Sequence, residues 1–349
     1  MFVCVLLASC TTAQGEQNKS IYRSSFESDV PSLDPIQVGD TQSHDVAHNI
    51  YNGLVRYRPE ITQPGEKLTD LVPALAESWE ISKDGKTYTF HLRKAVMFHN
   101  GRSLEAKDVE FSFKRLANPN NASKGLWTLN ALPLEGLEEY KKPFNDLSEC
   151  RAKKVPCDSA KEKELEEMNQ KLEQRELKGI KVIDNQTVQL YLAQMVPFAL
   201  HVLAMSYYYI IPKEEVERWG DHFGEHAVGT GPYKLKEWKR KLKVVLTKNE
   251  NFYLKGYPKI DELRYYVVPQ ENVRLFWFEN RELEHLNPIP GPSFDRILRD
   301  KHWNPIGDKA LRQIETLNDP QKSSVIKDPQ LVIQYVGFDN KSAPFTDKR

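Results

Sequence analysis

Residues 226–238 read HAVGTGPYKLKEW, and their Gly-Thr-Gly turn has two interpretations, a phosphate cradle or a bend that leads into a strand. A phosphate-binding loop opens a helix, because several backbone N–H groups and the helix dipole must converge on the anion. Here Pro232 removes one donor, and the continuation KLKEWKRKLKVVLTKNENFY alternates like two strands of a meander. The segment therefore predicts a bend into a β-hairpin, with its lysines facing solvent.

Apolar spacing on both sides of this segment predicts further strands and helices. Strands are expected in KSIYRSSF (19–26), KTYTFHLR (86–93), GIKVIDNQTVQLYL (179–192, with a turn at Asp184-Asn185) and QLVIQYVGFDN (330–340). Helices are expected after the N-cap candidates Ser43, Ser103 and Asn272, the last of them ending near Asn280, and within IIPKEEVERWG (210–220) after Pro212.

The charge balance argues against a general nucleic-acid binder. The 349 residues include 49 Lys and Arg and 49 Asp and Glu, which gives a formal net charge of zero. Binding to phosphate backbones requires an excess of cations that displaces counterions. The basic run Lys239-Arg240-Lys241 is short and lacks the interleaved aromatics that stack on bases. No nucleic-acid partner is therefore expected.

The first residues, MFVCVLLASC, predict an exported lipoprotein. The apolar run ends in Leu7-Ala8-Ser9-Cys10, the arrangement that a bacterial lipoprotein signal peptidase accepts, with Cys10 carrying the lipid. A polar stretch follows at once, as a tether leading away from a membrane should. The alternative is the start of a buried strand. No Lys or Arg precedes the run, although a secretory signal requires one, so we expect the true N-terminus to lie upstream.

Two further cysteines fit an exported protein. Cys150 and Cys157 are separated by six residues, RAKKVP, so an oxidising compartment could join them in a small loop. Such a bridge would contribute roughly 2–3 kcal/mol in the chain-entropy picture. A zinc site is the rival interpretation, and the absence of a nearby His weakens it. Both cysteines lie in a charged surface excursion, residues 138–178, whose second half resembles a solvated helix.

The sharpest enzymatic pattern is His44-Asp45-Val46-Ala47-His48. Two histidines at i and i+4 share a helical face, as in zinc peptidases, where an intervening Glu acts as general base. Asp45 is one methylene shorter than that Glu, and no third ligand is evident, so two solvent-facing histidines are the favoured interpretation. His222 and His226 repeat the spacing, but Gly224 weakens a helix there. No G-x-S-x-G motif occurs. We therefore expect no catalytic residue and no metal, and a zinc metallopeptidase using His44 and His48 is the enzymatic alternative.

The order of several motifs resembles one family closely. These motifs are SLDPIQ, HNIYNGLVRY, LVPALAESWEISKDGKTYTFHLRKAVMFHNGRSLEAKDVEFSFKRLANP, VGTGPYKLKEW and NENFYLKGYPKIDELRYYVVP. Together they look like the extracellular solute-binding proteins of family five, the peptide- and nickel-type receptors of ABC importers. The resemblance covers nearly all of residues 20–349.

The resemblance implies an α/β fold of the periplasmic-binding-protein-like type II, with two lobes around a cleft and a subdomain inserted in lobe I. The implied boundaries are a partial lipoprotein signal peptide at 1–10, a tether at 11–19, lobe I at 20–57 and 198–286, the inserted subdomain at 58–197, and the start of lobe II at 287–349. Family members continue well past the equivalent of APFTDKR, so lobe II is expected to be truncated and the chain to be unstable alone.

The resemblance also implies a set of ligand-binding residues. The loop that corresponds to Gly39, Asp40 and Thr41 borders the cleft, and an aromatic residue that touches the ligand in peptide binders falls near Trp127. The acidic residue that grips the ligand's amino terminus lies in the missing part. The sequence departs from the family at Arg281, which replaces a glycine, and we expect Asn280 to supply the left-handed cap instead.

The function that follows from the resemblance is a lipid-anchored, monomeric receptor on the periplasmic or extracellular face of a bacterial membrane. It captures an oligopeptide or dipeptide between two closing lobes and presents it to ABC permease subunits, with no cofactor and no covalent chemistry. The alternative within the family is a receptor for a metal chelate or a sugar.

Overall fold

The computed structural model describes residues 19–58, 67, 69–287 and 291–293, together with the backbone of 303–306 and 323–326. The chain divides into two compact units, Met1–Ile289 and Pro290–Arg349. The predicted signal peptide with Cys10, nearly all of the predicted tether and the predicted strand at 330–340 lie outside the described residues.

The described part contains both strands and helices. The strands are β1 (Ile21–Phe26), β2 (Val55–Tyr57), β3 (Leu71–Pro73), β4 (Ala76–Ile81), β5 (Thr87–Leu92), β6 (Ile180–Asp184), β7 (Thr187–Tyr191), β8 (Tyr233–Lys239), β9 (Lys243–Lys248), β10 (Glu262–Val267), β11 (Trp303–Ile306) and β12 (Ser323–Ile326). The helices are α1 (Thr41–Ile50), α2 (Ala106–Ala117), α3 (Thr128–Ala131), α4 (Leu137–Arg151), α5 (Ser159–Gln170), α6 (Ala199–Leu203), α7 (Lys213–Trp219) and α8 (Glu271–Glu279).

The first sheet joins distant parts of the sequence. Its order is β1-β10-β9-β8, with β1 parallel to β10 and the other neighbours antiparallel. Helix α1 buries Val46, Ala47 and Ile50 in one cluster with sheet residues such as Val244 and Leu263. The i, i+1, i+4 spacing of these three residues places them on one helical face, which is why α1 lies flat on the sheet.

The second sheet is an antiparallel unit of its own. Its order is β4-β5-β7-β6, and the residues of β5 alternate between buried and half-buried. Helix α2 buries Val109, Phe113 and Leu116. These side chains lie in the same hydrophobic core as Phe90 and Leu190 of the sheet. Outside these two sheets, β2 pairs with β3, and in the second compact unit β11 runs parallel to β12.

The Gly-Thr-Gly turn is a bend, as predicted, and β8 and β9 form the hairpin that follows it. Both of its glycine N–H groups already have acceptors, because Gly231 N donates to Ile50 O (2.8 Å) and Gly229 N donates to His99 Nδ1 (3.3 Å). The Nε2–H of His99 donates in turn to Gly231 O (3.0 Å). A β-carbon at either glycine would collide with the backbone of Ile50, so the turn packs against the end of α1 and offers no cradle for an anion. Of the two lysines in this segment that were predicted to face solvent, Lys236 is exposed and Lys234 is half-buried.

A buried ion pair links α2 to the loop that precedes α1. Arg115 donates from both terminal nitrogens to the two carboxylate oxygens of Asp34, at 2.7 and 2.6 Å. Both side chains are buried, and the guanidinium lies over the ring of Phe223, 5.7 Å from its centre. The backbone of Ile36 also donates to Asp34 Oδ1 (3.3 Å), so the pair is satisfied by several partners at once.

The charged excursion is a helical hairpin closed by a disulfide. Cys150 near the end of α4 and Cys157 before α5 are bonded, with their Cα atoms 5.4 Å apart. A small apolar cluster of Leu147, Cys150 and Leu165 lies between the two helices, and Arg151 adds ion pairs across them. Both halves of the excursion are therefore helical, although α4 contains Pro143.

The predicted N-cap Ser43 is wrong. Helix α1 begins three residues earlier, because Asp40 is the N-cap and its Oδ1 accepts from Ser43 N at 2.8 Å. Ser43 lies in the first turn with its side chain buried. An Asp accepts this bond as readily as a Ser does, so residue type alone does not distinguish Asp40 from Ser43 as the cap.

Two other predicted caps are also wrong. Ser103 forms an isolated β-bridge with Met97, and α2 starts after Glu105, whose backbone N–H donates to Asp108 Oδ2 (2.9 Å). Helix α8 starts at Glu271, so Asn272 lies inside it. The predicted left-handed Asn280 has φ of −85°, and Arg281 itself takes the left-handed conformation with φ of 61°.

Loss of one partner of the Arg115–Asp34 pair should destabilise the fold strongly. We expect Arg115→Met to cost about 3–5 kcal/mol in the free energy of unfolding, because it leaves the Asp34 carboxylate buried without its cation. Urea unfolding would measure this, with Lys142→Met as control because its pair with Asp146 is exposed. An equal, small effect of both substitutions would contradict the assignment.

Stability should also fall in mild acid because of His99. Burial lowers the pKa of His99 from 6.5 to about 4. The unfolded chain therefore takes up a proton before the folded protein does. We expect a loss of about 3 kcal/mol between pH 6.5 and 4, with no contribution from His99 above that range. The midpoint of urea unfolding across this pH range measures it. In His99→Gln, which cannot be protonated, that part of the pH dependence should disappear.

Candidate functional site

The predicted residues Gly39, Asp40 and Thr41 form the turn at which α1 begins. Asp40 is extended, with φ of −138° and ψ of 161°, and its Oδ1 caps the helix. The second carboxylate oxygen of Asp40 is buried and has no hydrogen-bond partner among the described residues. Gly39 and Thr41 on either side are exposed. The turn therefore presents backbone to the surface next to an acidic side chain with a free oxygen.

A second segment, residues 121–125, is hydrogen-bonded to the chain just before this turn. Ile36 O accepts from Lys124 N (2.9 Å) and from Ser123 Oγ (3.1 Å). Gln37 Nε2 donates to Asn121 O at 3.0 Å. These bonds hold the two segments side by side, although they lie more than eighty residues apart in the sequence.

The lack of a side chain at Gly39 leaves room for the side chain of Lys124. A β-carbon at Gly39 would lie 2.8 Å from Lys124 Cδ, so a larger residue would displace the lysine stem from the turn. Lys124 is exposed, and no acidic side chain within the described ranges pairs with its ammonium group. A cationic side chain thus lies across the turn beside Asp40.

Trp127 is exposed on a rigid backbone. Its relative exposure is 57%, which is high for a tryptophan. The residues around it are fixed, since Gly125 N donates to Ser123 Oγ (3.0 Å) and Thr128 Oγ1 donates to Gly125 O (2.6 Å). The ring of Tyr207 lies so close to Gly125 that no side chain would fit there. The indole is therefore displayed to solvent by a well-packed support.

We call the exposed surface formed by Gly39, Asp40, Thr41, Lys124 and Trp127 the ledge. The hydrogen bonds from residues 121–125 to Ile36 and Gln37 bring the two predicted parts of the ledge into one region. Lys124 was missed at the sequence level. Nothing in the local pattern around Lys124 separates it from the many other surface lysines.

The two histidines of the enzymatic alternative are adjacent but do not form a metal centre. The rings of His44 and His48 are 5.8 Å apart, and His48 Nδ1 is bonded to the backbone oxygen of His44 (3.1 Å). Burial, and then the proximity of His48, lowers the pKa of His44. Within the described residues no group of three or more His, Cys, Asp or Glu side chains is arranged to hold a metal ion.

Among the residues with a described structure, no helix combines the length and the apolar character that crossing a bilayer demands.

Comparison with known proteins gives a consistent set of matches. Residues 70–349 match the model of the bacterial extracellular solute-binding proteins, family 5, middle region. The chain is 26% identical over 328 residues to the periplasmic oligopeptide-binding protein of Salmonella typhimurium, covering 92% of this chain and 49% of that protein. It is 25% identical over 286 residues to the glutathione-binding protein of Salmonella paratyphi A, covering 82% and 46%.

A solved structure agrees with these matches. The substrate-binding domain of an oligopeptide ABC transporter from Bacillus anthracis superposes with a TM-score of 0.63 at 26% identity, covering 82% of this chain and 48% of that one. The chain thus spans about half the length of the relatives it matches. The predicted fold class, a mixed α/β fold of the periplasmic-binding-protein type II, is confirmed.

Proposed function

The chain belongs to the bacterial extracellular solute-binding proteins of family 5, and on that premise we propose that it is the ligand-capturing part of an ABC importer for peptides. The observation that carries this proposal is the family match over residues 70–349. The names of the matched relatives point to peptide-type ligands, since one is an oligopeptide-binding protein and another binds glutathione, itself a modified tripeptide.

The proposed domain organisation assigns residues 20–57 and 198–286 to lobe I, 58–197 to an inserted subdomain and 287–349 to the start of lobe II. Two features support the first two assignments. Strand β1 pairs with β10, so both pieces of lobe I contribute to one sheet. Strands β4 to β7 form a separate sheet within the inserted segment. A receptor of this kind holds its ligand between lobes that close around it.

The ledge is the part of lobe I and the inserted subdomain that we assign to ligand contact. An exposed indole on a rigid support offers apolar area at little entropic cost, and a turn with accessible backbone offers hydrogen bonds that do not depend on the ligand's side chains. The exposed ammonium group of Lys124 adds a positive charge beside the half-buried carboxylate of Asp40. Such a surface is suited to a peptide, which carries backbone amides and charged termini.

The receptor is proposed to act outside the cytoplasm, as a monomer attached to the membrane through a lipid on Cys10. The disulfide between Cys150 and Cys157 supports an oxidising compartment, because disulfides are rare among cytosolic proteins, whose thiols are kept reduced. The ligand leaves unaltered for the permease, and no covalent step occurs in this chain.

A ligand screen tests the proposal directly. Thermal unfolding would be followed with pools of dipeptides to pentapeptides, with glutathione, with a nickel chelate and with disaccharides. We expect the melting temperature to rise with a peptide pool, because a ligand that binds only the folded state stabilises it. A rise with the chelate or sugar alone, or no rise with any peptide, would contradict the peptide assignment.

Trp127→Ala should weaken peptide binding without affecting the fold. The indole is exposed, so we expect an unchanged melting temperature and a loss of affinity of about tenfold or more for the best peptide, since buried aromatic anchors dominate binding energy. Isothermal titration calorimetry would measure the dissociation constant. Phe276→Ala is the matched control, because Phe276 is 60% exposed and lies on α8, outside the ledge. Equal affinities of the two variants would remove Trp127 from the site.

A further inference from the structure

A cavity of about 350 Å3 lies between α1 and the first sheet. Its lining includes Asp45 from α1, Tyr22, Ser25 and Phe26 from β1, Tyr265 from β10, and His285. We call it the α1 cavity. Its volume lies within the range of sites for small ligands. It shares no residue with the ledge, so the proposed peptide site does not account for it.

The carboxylate of Asp45 has no counterion in this cavity. Neither a hydrogen bond nor an ion pair to its side chain is formed by any residue in the described part of the chain. Burial raises the pKa of Asp45, and the nearby histidines, chiefly His48, oppose that shift without cancelling it. A half-buried carboxylate that lacks a partner is costly, and a cation in the cavity would remove that cost.

The nearby histidines do not supply the missing counterion. Both ring nitrogens of His48 already have partners, since Nδ1 lies 3.1 Å from His44 O and Nε2 lies 3.3 Å from the side-chain nitrogen of Asn49. Burial lowers the pKa of His44 and of His285, so these two rings leave the negative charge of Asp45 uncompensated at neutral pH.

The remaining walls offer a free hydroxyl and aromatic faces. Ser25 is 4% exposed, and its Oγ is buried without a hydrogen-bond partner among the described residues. The rings of Phe26 and Tyr265 are stacked with centres 5.0 Å apart, and Tyr22 stacks on His285 at 6.3 Å. Aromatic faces attract organic cations, and a buried hydroxyl can accept from an N–H donor.

We propose that the α1 cavity binds an organic cation, an alkylammonium or guanidinium group, with Asp45 as its counterion and Ser25 Oγ as a hydrogen-bond acceptor. A metal ion does not fit, since the described residues hold no cluster of three or more side chains with suitable geometry. An ammonium or guanidinium group carries several N–H donors and an apolar stem, and these match the carboxylate, the hydroxyl and the aromatic rings.

Titration with a charged probe and its uncharged analogue tests the proposal. The whole chain would be titrated with n-butylammonium and, separately, with n-butanol, by calorimetry and by the shift in melting temperature. We expect the ammonium compound to bind at least tenfold more tightly than the alcohol. Equal binding of the two would overturn the proposal, and so would binding of neither, whatever the variants do.

Asp45→Asn identifies the residue responsible. This isosteric change should lower the affinity for n-butylammonium at least tenfold, and it should leave the melting temperature without probe unchanged or higher, because it removes an unpaired charge. Asp221→Asn is the control, since Asp221 is exposed and lies outside the cavity. Unchanged affinity in Asp45→Asn would sink the assignment.

A second probe distinguishes whether the bound cation is a free small amine or the side chain of a polypeptide. Acetyl-Gly-Lys-Gly-amide carries the same ammonium group on a polypeptide, and its norleucine analogue lacks the charge. If only free n-butylammonium binds, the site serves a small amine. If the lysine peptide binds in an Asp45-dependent way, the site receives a polypeptide side chain. Binding of the lysine peptide that is unchanged in Asp45→Asn would be assigned to the ledge and not to the α1 cavity. The result therefore distinguishes failure of the cation proposal from failure of the proposed peptide function.

Discussion

The ion pair between Arg115 and Asp34 is the constraint on which the described arrangement depends. It connects α2, whose opposite face packs on the second sheet, to the loop that leads into α1 on the first sheet. Because both charges are buried, neither can be satisfied if the other moves away, so the pair restricts the relative position of α2 and the loop far more than an apolar contact would. Gly224 packs against the same loop. A β-carbon at Gly224 would lie too close to Ser32 and Asp34.

The ledge is a consequence of that restriction. Once the loop before α1 is held by Arg115, the carbonyl of Ile36 faces residues 123 and 124 and accepts from both. Trp127 is thereby exposed at a fixed place near the N-terminus of α1 while its neighbours Ser123 and Thr128 are buried. A surface supported in this way would lose little entropy on binding a ligand, which is consistent with the proposed peptide site.

The two sides of α1 carry different chemistry. At its N-terminus the cap Asp40 is part of the ledge, whereas Asp45 and His48 line the α1 cavity between the helix and the sheet. The face between them is apolar and holds the helix on the sheet through Val46 and Ile50. One ten-residue helix therefore serves the proposed peptide site and the proposed cation site while remaining part of the core.

The local sequence pattern was sufficient to predict many of the strands and helices of this protein. The alternation after the Gly-Thr-Gly turn, the strand at 86–93 and the face formed by Val109, Phe113 and Leu116 follow from periodicity alone, since each is decided by neighbours within a few residues. The order of the sequence motifs was enough to identify the family. The starts of α1 and α2 did not follow from local pattern. Either Asp40 or Ser43 could be the N-cap of α1, and either Ser103 or Glu105 the N-cap of α2. Hydrogen bonding to backbone N–H groups in the first turn decides which residue takes that position. Tertiary structure alone decided that Lys124 lies against Gly39, that His99 is hydrogen-bonded to the Gly-Thr-Gly turn and that the Asp45 carboxylate has no partner among the described residues. Each of these depends on segments far apart in the chain, and their proximity leaves no mark in the local sequence.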